Sequence, residues 1–168
     1  TGERLTLVFR GNDLGVFEVA TGKRVSPPMR HLYESHGFVV SADGSRSASS
    51  SWDGRVIVWR VLFGPVAETF GAEAETFDGH TGRITDVAIA PDGRTIATAV
   101  FNGEQPDTNH VSIWDRSSGR VVRELDDVSA SSLAFDGSGD RLAIGTYDGT
   151  VQIRDTSSWG INRSFRAG

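Results

Sequence analysis

The sequence has no cysteine, so neither disulfides nor thiolate metal sites support its fold, and the redox compartment leaves no mark on it. Long apolar runs are missing too. No stretch of about 18 apolar residues occurs, nor a basic start followed by an apolar segment, so these residues contain neither a helical membrane span nor a secretory signal. Basic charge is in short supply: 17 Lys and Arg face 22 Asp and Glu, a net charge of −5 that repels a phosphate backbone unless the basic residues cluster. They do not cluster, so neither nucleic acid nor a membrane is expected as a partner, and the cytoplasm is the default expectation for location. The histidines at 31, 36, 80 and 110 are far apart and outside any HExxH pattern, and no GxxxxGK[ST] or GxGxxG occurs. No metal or other cofactor is therefore expected.

What is abundant is glycine, 20 residues in a chain of 168, beside only five prolines and two tyrosines. That balance fits many short strands joined by tight turns better than long helices. The 38% hydrophobic and 23% charged content is that of an ordinary globular domain.

The sequence repeats itself. Arg30 to Gly44 lies without a gap over Gly79 to Gly93, and Asp-Gly pairs recur at 43, 92 and 136. After each comes a short strand, a turn, and an alternating run: Arg55 to Trp59, His110 to Trp114, and Thr150 to Arg154. Period two identifies these runs as strands. Asp-Gly at 43, 53, 92 and 148 marks hairpin turns, where glycine adopts positive φ freely and Asp tolerates it. Strands grouped at a spacing of about 40 to 50 residues fit four-stranded propeller blades.

At this point the chain resembles the WD-repeat family, whose signature is a Gly-His pair opening a blade and a Trp-Asp pair closing its third strand. Gly79-His80 and Trp114-Asp115 match fully, Trp59 is followed by Arg60, Arg154-Asp155 keeps only the Asp, and Phe17-Glu18 holds the equivalent place in the first unit. The resemblance implies an all-β fold, a β-propeller of about four blades of four-stranded antiparallel sheet. The expected blades cover residues 1–29, 30–78, 79–126 and 127–168 of a single partial domain. In the first, incomplete blade, Arg4 to Phe9, Leu14 to Val19 and Lys23 to Ser26 read as three strands, the innermost being absent. Ala67 to Phe70 is repeated as Ala74 to Phe77, and the second copy is expected to form the outer strand because it leads straight into Gly79-His80.

The resemblance also implies a structural tetrad in two blades: His31, Ser49, Asp53 and Trp59, then His80, Thr98, Asp107 and Trp114. A buried indole N–H or imidazole needs a partner, and a network satisfies several groups at once. His, Ser and Asp together are also the parts of a catalytic triad. Recurrence at matching offsets in two blades favours the structural role. The last blade keeps only Asp148 of the set and is expected either to be the least rigid or to use a different support.

Large aromatics, Trp52 and Tyr147, precede equivalent turn Asp residues, and with Tyr33 and Arg83 they form the candidate partner-binding patch. Packing on a neighbouring blade is the alternative role for both rings. The turn expanded into Phe101 to Asn109 opens on the same face. The expected function is a non-catalytic scaffold for protein–protein interaction, within a larger signalling or regulatory protein or closing a ring by self-association. The alternative is a hydrolase-like propeller enzyme with its site at the central channel, which would need convergent acids, a metal or an activated nucleophile on the innermost strands.

Overall fold

The computed structural model describes residues 4–6, 13–18, 20–24, 29–42, 45–60, 74–103 and 105–166. At the start, β1 (Arg4–Thr6) pairs antiparallel with β3 (Val16–Glu18), and β2 (Asp13–Leu14) pairs with β4 (Met29–Arg30). Of the third strand expected there, at Lys23 to Ser26, the described residues contribute a bridge between Arg24 and Phe17, and residues 25 and 26 lie outside the described residues. The expected strand end at 7–9, the Asp43-Gly44 turn and the first Ala-Glu-Thr-Phe copy at 67–70 lie outside the described residues.

Three four-stranded antiparallel sheets follow. The first joins β5 (Ser35–Val40), β6 (Arg46–Ser51), β7 (Val56–Arg60) and β8 (Ala74–Phe77) in that order. The second joins β9 (Arg83–Ile89), β10 (Thr95–Phe101), β11 (His110–Asp115) and β12 (Arg120–Leu125), and a short 3-10 helix, Pro106–Thr108, precedes β11. The third joins β13 (Ala130–Phe135), β14 (Arg141–Thr146), β15 (Thr150–Asp155) and β16 (Ile161–Arg166). These are blades of the expected type. The second Ala-Glu-Thr-Phe copy is β8, paired with β7 from Val56↔Phe77 to Trp59↔Ala74.

The sheets stack through their first strands, β9 packing on β5 and β6 on one side and on β13 on the other. Successive side chains of a strand point to opposite faces, so a middle sheet must be apolar on both. Accordingly β10 is buried along its whole interior. One core joins Ala48, Val56, Val58 and Phe77 of the first sheet to Val87, Ile89, Ile96 and Trp114 of the second. The other joins Ala97, Ala99, Val111, Ile113 and Leu125 of the second to Leu133, Leu142 and Ile144 of the third. The far face of the third sheet, with Ala134, Ala143, Ile153 and Phe165 around a groove of about 780 Å³, is covered by no other described element.

The turn between β13 and β14 departs from the expected pattern. Asp136-Gly137 is not the counterpart of Asp92-Gly93; Gly139, with φ of 81°, takes the place that Gly93 holds at 66°. Each donates its amide three residues back, Gly139 to Asp136 and Gly93 to Ala90. The strand pairing fixes the turn, and the Asp-Gly at 136 falls two residues early.

Close approach between sheets rests on one glycine. A Cβ at Gly37 would stand 2.5 Å from Ser50 Oγ and 2.9 Å from both Cα and Oδ1 of Asp86 on the neighbouring inner strand. At Gly119 a Cβ would meet nothing, and only its φ of +66° disfavours a side chain. We expect Gly37→Ala to lower stability by about 3 kcal/mol through overpacking, and Gly119→Ala by about 1 kcal/mol through backbone strain alone. Urea unfolding of the two variants checks this; equal losses would contradict the close packing of β5 on β9.

Candidate functional site

In the first full sheet, Trp59 Nε1 donates to Ser49 Oγ at 3.0 Å, and Ser49 Oγ lies 2.8 Å from His31 Nε2. His31 Nδ1 faces Asp53 Oδ2 at 3.5 Å, with both side chains shut off from solvent. Burial holds the His31 pKa below its ordinary value, against the opposing pull of Asp53. In the neutral ring Ser49 donates to Nε2, and Nδ1–H points at the carboxylate. Asp53 also accepts the amides of Leu32 at 3.1 Å and Arg55 at 2.9 Å, so it ties its own turn to the loop leading into β5.

The second sheet repeats the chain with one change. Trp114 Nε1 donates to Thr98 Oγ1 at 3.1 Å, and Thr98 Oγ1 lies 3.0 Å from His80 Nε2. The fourth member is not Asp107. That residue stands exposed in the 3-10 helix of the expanded turn. His80 Nδ1–H instead donates to the Gly54 carbonyl of the preceding sheet at 3.1 Å. Burial, the largest cause, depresses the His80 pKa to about 4.

The third sheet has Arg154 at the position of Trp59 and Trp114, opposite Leu142 as Trp114 is opposite Ile96. Its guanidinium, 4% exposed, bonds Asp127 at 2.9 Å, Gln152 at 2.8 Å and the Trp159 carbonyl at 3.3 Å. This is the different support. An ion pair replaces the indole–hydroxyl–imidazole chain, and Ile144 replaces the hydroxyl. The missing indole returns five residues on. In the turns Asp115 to Gly119 and Asp155 to Trp159, two serines donate to the first Asp, and the fifth residue donates its amide to that Asp's carbonyl. Trp159 thus occupies the left-handed position, at φ of 61°, that glycine holds in the other turn, and it packs on the core between the last two sheets. Asp148 serves its own turn, accepting from Thr146 Oγ1 and the Thr150 amide.

One further tie escaped the sequence pattern. Asp86 Oδ2 on β9 accepts the Leu133 amide of β13 at 2.7 Å, a bond between inner strands of adjacent sheets, and burial raises its pKa. The triad-like grouping has no access to substrate: Ser49 and Thr98 are both 0% exposed, and each oxygen is already taken by an indole and an imidazole. Among the described residues no three His, Cys, Asp or Glu side chains gather to hold a metal.

The polar chains hold up a face. Trp52, 41% exposed, stacks on His36 with centroids 4.3 Å apart, and the Arg83 guanidinium lies 4.5 Å from its ring centre. Arg83 pairs in register with Phe101, and both line a cleft of about 580 Å³. On the far side Phe101 meets Tyr147, itself 55% exposed, at 5.4 Å. Trp52, Arg83, Phe101 and Tyr147 therefore make a strip across three sheets. Both terminal aromatics are anchored alike, Trp52 N to the Glu34 carbonyl and Tyr147 N to the Ser129 carbonyl. Tyr33, 65% exposed, stands in the loop leading into β5 and takes part in none of the ring contacts found among the described residues. Phe101 and His36 were not singled out from the sequence, though their places at the two strand ends beside the turns could have suggested them.

The profile of the WD40 family, described as WD domain, G-beta repeat, matches residues 28–60, 71–115 and 120–155, well over half of the chain. The chain is 29% identical to an uncharacterized WD repeat-containing protein of Synechocystis, over 75% of this chain and 32% of that one. It is 28% identical to a guanine nucleotide-binding protein subunit beta of rice, over 84% of this chain and 38% of the relative. It is 27% identical to a U3 snoRNP-associated protein-like chain of Arabidopsis thaliana, over 90% of this chain and 33% of the relative. The chain thus spans about a third of the length of these relatives.

The buried His31 and the half-buried His80 set a pH dependence. With the folded pKa of His80 near 4 and the ordinary value at 6.5, the unfolded chain takes up the proton first as pH falls. This stabilisation is complete above pH 6.5 and is lost as pH falls towards 4. His31 acts in the same direction. We expect Tm to drop across that window, and His80→Gln to show a shallower slope there at a lower starting Tm. An unchanged slope would mean that His80 is not held neutral. A second outcome concerns the ion pair: Asp127→Ala should cost about 1–3 kcal/mol by leaving Arg154 short of its carboxylate, whereas Asp126→Ala, which removes no such bond, should change unfolding little.

Proposed function

Because the chain belongs to the WD-repeat family, whose members are generally protein-interaction scaffolds, we propose that it is a non-catalytic scaffold that docks a protein partner on the strip Trp52, Arg83, Phe101 and Tyr147. The observation that supports this reading is two exposed rings on the outer sheets, Trp52 and Tyr147, each fixed by a backbone bond beneath it, joined across the middle sheet by Arg83 and the partly buried Phe101. Interfaces draw their energy from rigid aromatic and arginine anchors, which lose little entropy on binding. The relatives are more than twice the length of this chain, and one of them is a guanine nucleotide-binding protein subunit beta, which favours a regulatory setting for the scaffold.

The test is selection from a phage-displayed random peptide library on the purified chain. Binding of the selected peptides should fall by more than about tenfold with the Trp52→Ala, Tyr147→Ala double variant, a loss of at least about 1.4 kcal/mol. Peptides that bind the double variant as well as the parent would place the docking surface elsewhere.

A further inference from the structure

Resting on that reading, we propose that the strip selects peptides in which a single acidic residue lies beside an apolar one, with the carboxylate seated on Arg83 and the apolar side chain packed on the outer side of the Phe101–Tyr147 ring pair.

Arg83 is the cation of the strip. Its guanidinium lies over the Trp52 ring, and among the described residues no carboxylate stands within ion-pairing distance of it. The basic side chains half-buried or buried at contacts between elements are paired, Arg24 with Asp13, Arg116 with Glu75 and Arg154 with Asp127, whereas Arg83 is exposed and held by the Trp52 ring. A guanidinium stacked by its face keeps its N–H edge for a ligand, and that planar edge fits the two oxygens of a carboxylate. Desolvating an unmatched cation on a binding surface is costly, so the ligand that covers Arg83 must bring a negative charge.

The cleft beside it defines how much charge. Its lining among the described residues is Arg83, Phe101 and the neutral Thr81, Gly82, Asn102, Gly103, Gln105 and Thr108, so Arg83 is the one charge these residues present to a ligand. A carboxylate is matched by one guanidinium. A phosphate dianion would keep an unmet charge in a chain whose net charge is already −5. The cleft wall is prepared before binding: Asn102 N bonds Asn109 Oδ1 at 2.7 Å, Asn102 Nδ2 bonds Thr108 Oγ1 at 2.9 Å, and Asn109 Nδ2 bonds Ser129 Oγ at 2.8 Å. A loop tied this way loses little freedom on binding. Because Phe101 is the register partner of Arg83, the apolar contact lies about one strand spacing from the cation, within one or two residues along an extended peptide.

The experiment uses fluorescein-labelled Ser-Glu-Leu-Phe-Ser, its Gln counterpart and its phosphoserine counterpart, titrated with the whole chain by fluorescence anisotropy. The Glu peptide should bind at least about tenfold tighter than the Gln peptide. Arg83→Gln should abolish that preference, and Tyr147→Ala should weaken both peptides alike. Equal binding of Glu and Gln peptides, tighter binding of the phosphopeptide, a preference surviving in Arg83→Gln, or no binding up to about 1 mM would each overturn the inference. The scaffold reading fails separately: library-selected peptides that need Trp52 and Tyr147 but ignore Arg83→Gln would leave the strip standing and remove only the acidic preference.

Discussion

A tryptophan placed among the packed sheets brings an N–H that water cannot reach, and meeting that one donor organises much of the polar architecture. Trp59 and Trp114 donate it to a hydroxyl on the adjacent strand, and the hydroxyl in turn donates a hydrogen bond to an imidazole from the loop before the sheet. The imidazole must then be neutral, which burial ensures, and its remaining N–H looks for an acceptor. In one sheet that acceptor is the turn carboxylate Asp53; in the next it is the Gly54 carbonyl of the sheet before. Each link costs little once the previous one is set, and an unmatched member would cost about 1–3 kcal/mol.

The third sheet shows that the demand, rather than the residue, is what persists. With Ile144 where a hydroxyl would be, an indole at position 154 would have no acceptor, and an arginine stands there whose charge is met by Asp127 and Gln152. The apolar bulk is supplied by Trp159 from a turn position that glycine would fill without strain. A left-handed non-glycine residue costs about 1–2 kcal/mol, which burial of part of a large ring offsets.

The strands, their hairpins and their grouping could be read from the sequence because they are written in local terms: alternation, Asp-Gly pairs, and the Gly-His and Trp-Asp marks at fixed offsets. The His31, Ser49 and Trp59 set was legible for the same reason. What was not legible depends on how one sheet lies against the next. Asp86 reads as a polar residue on a strand until β13 is placed beside it, and Arg154 meets Asp127 only because the preceding loop crosses the strand end. Asp107 lies in the corresponding turn by sequence offset, but the insertion places it exposed in a 3-10 helix, and a backbone carbonyl with no sequence mark, that of Gly54, takes its place on His80. The Asp-Gly at 136 misled because a dipeptide cannot say which of two nearby glycines takes the left-handed position.

The bond from His80 to the Gly54 carbonyl also bears on how such a chain can be divided. The sequence repeats by sheets, yet the support of the second sheet ends inside the first, beside the turn that presents Trp52. A repeat excised at the sheet boundary would part His80 from its acceptor and release the loop carrying the exposed ring. A transferable unit that keeps this support therefore includes the preceding sheet's turn along with its own four strands, so neighbouring repeats overlap instead of meeting at a clean boundary.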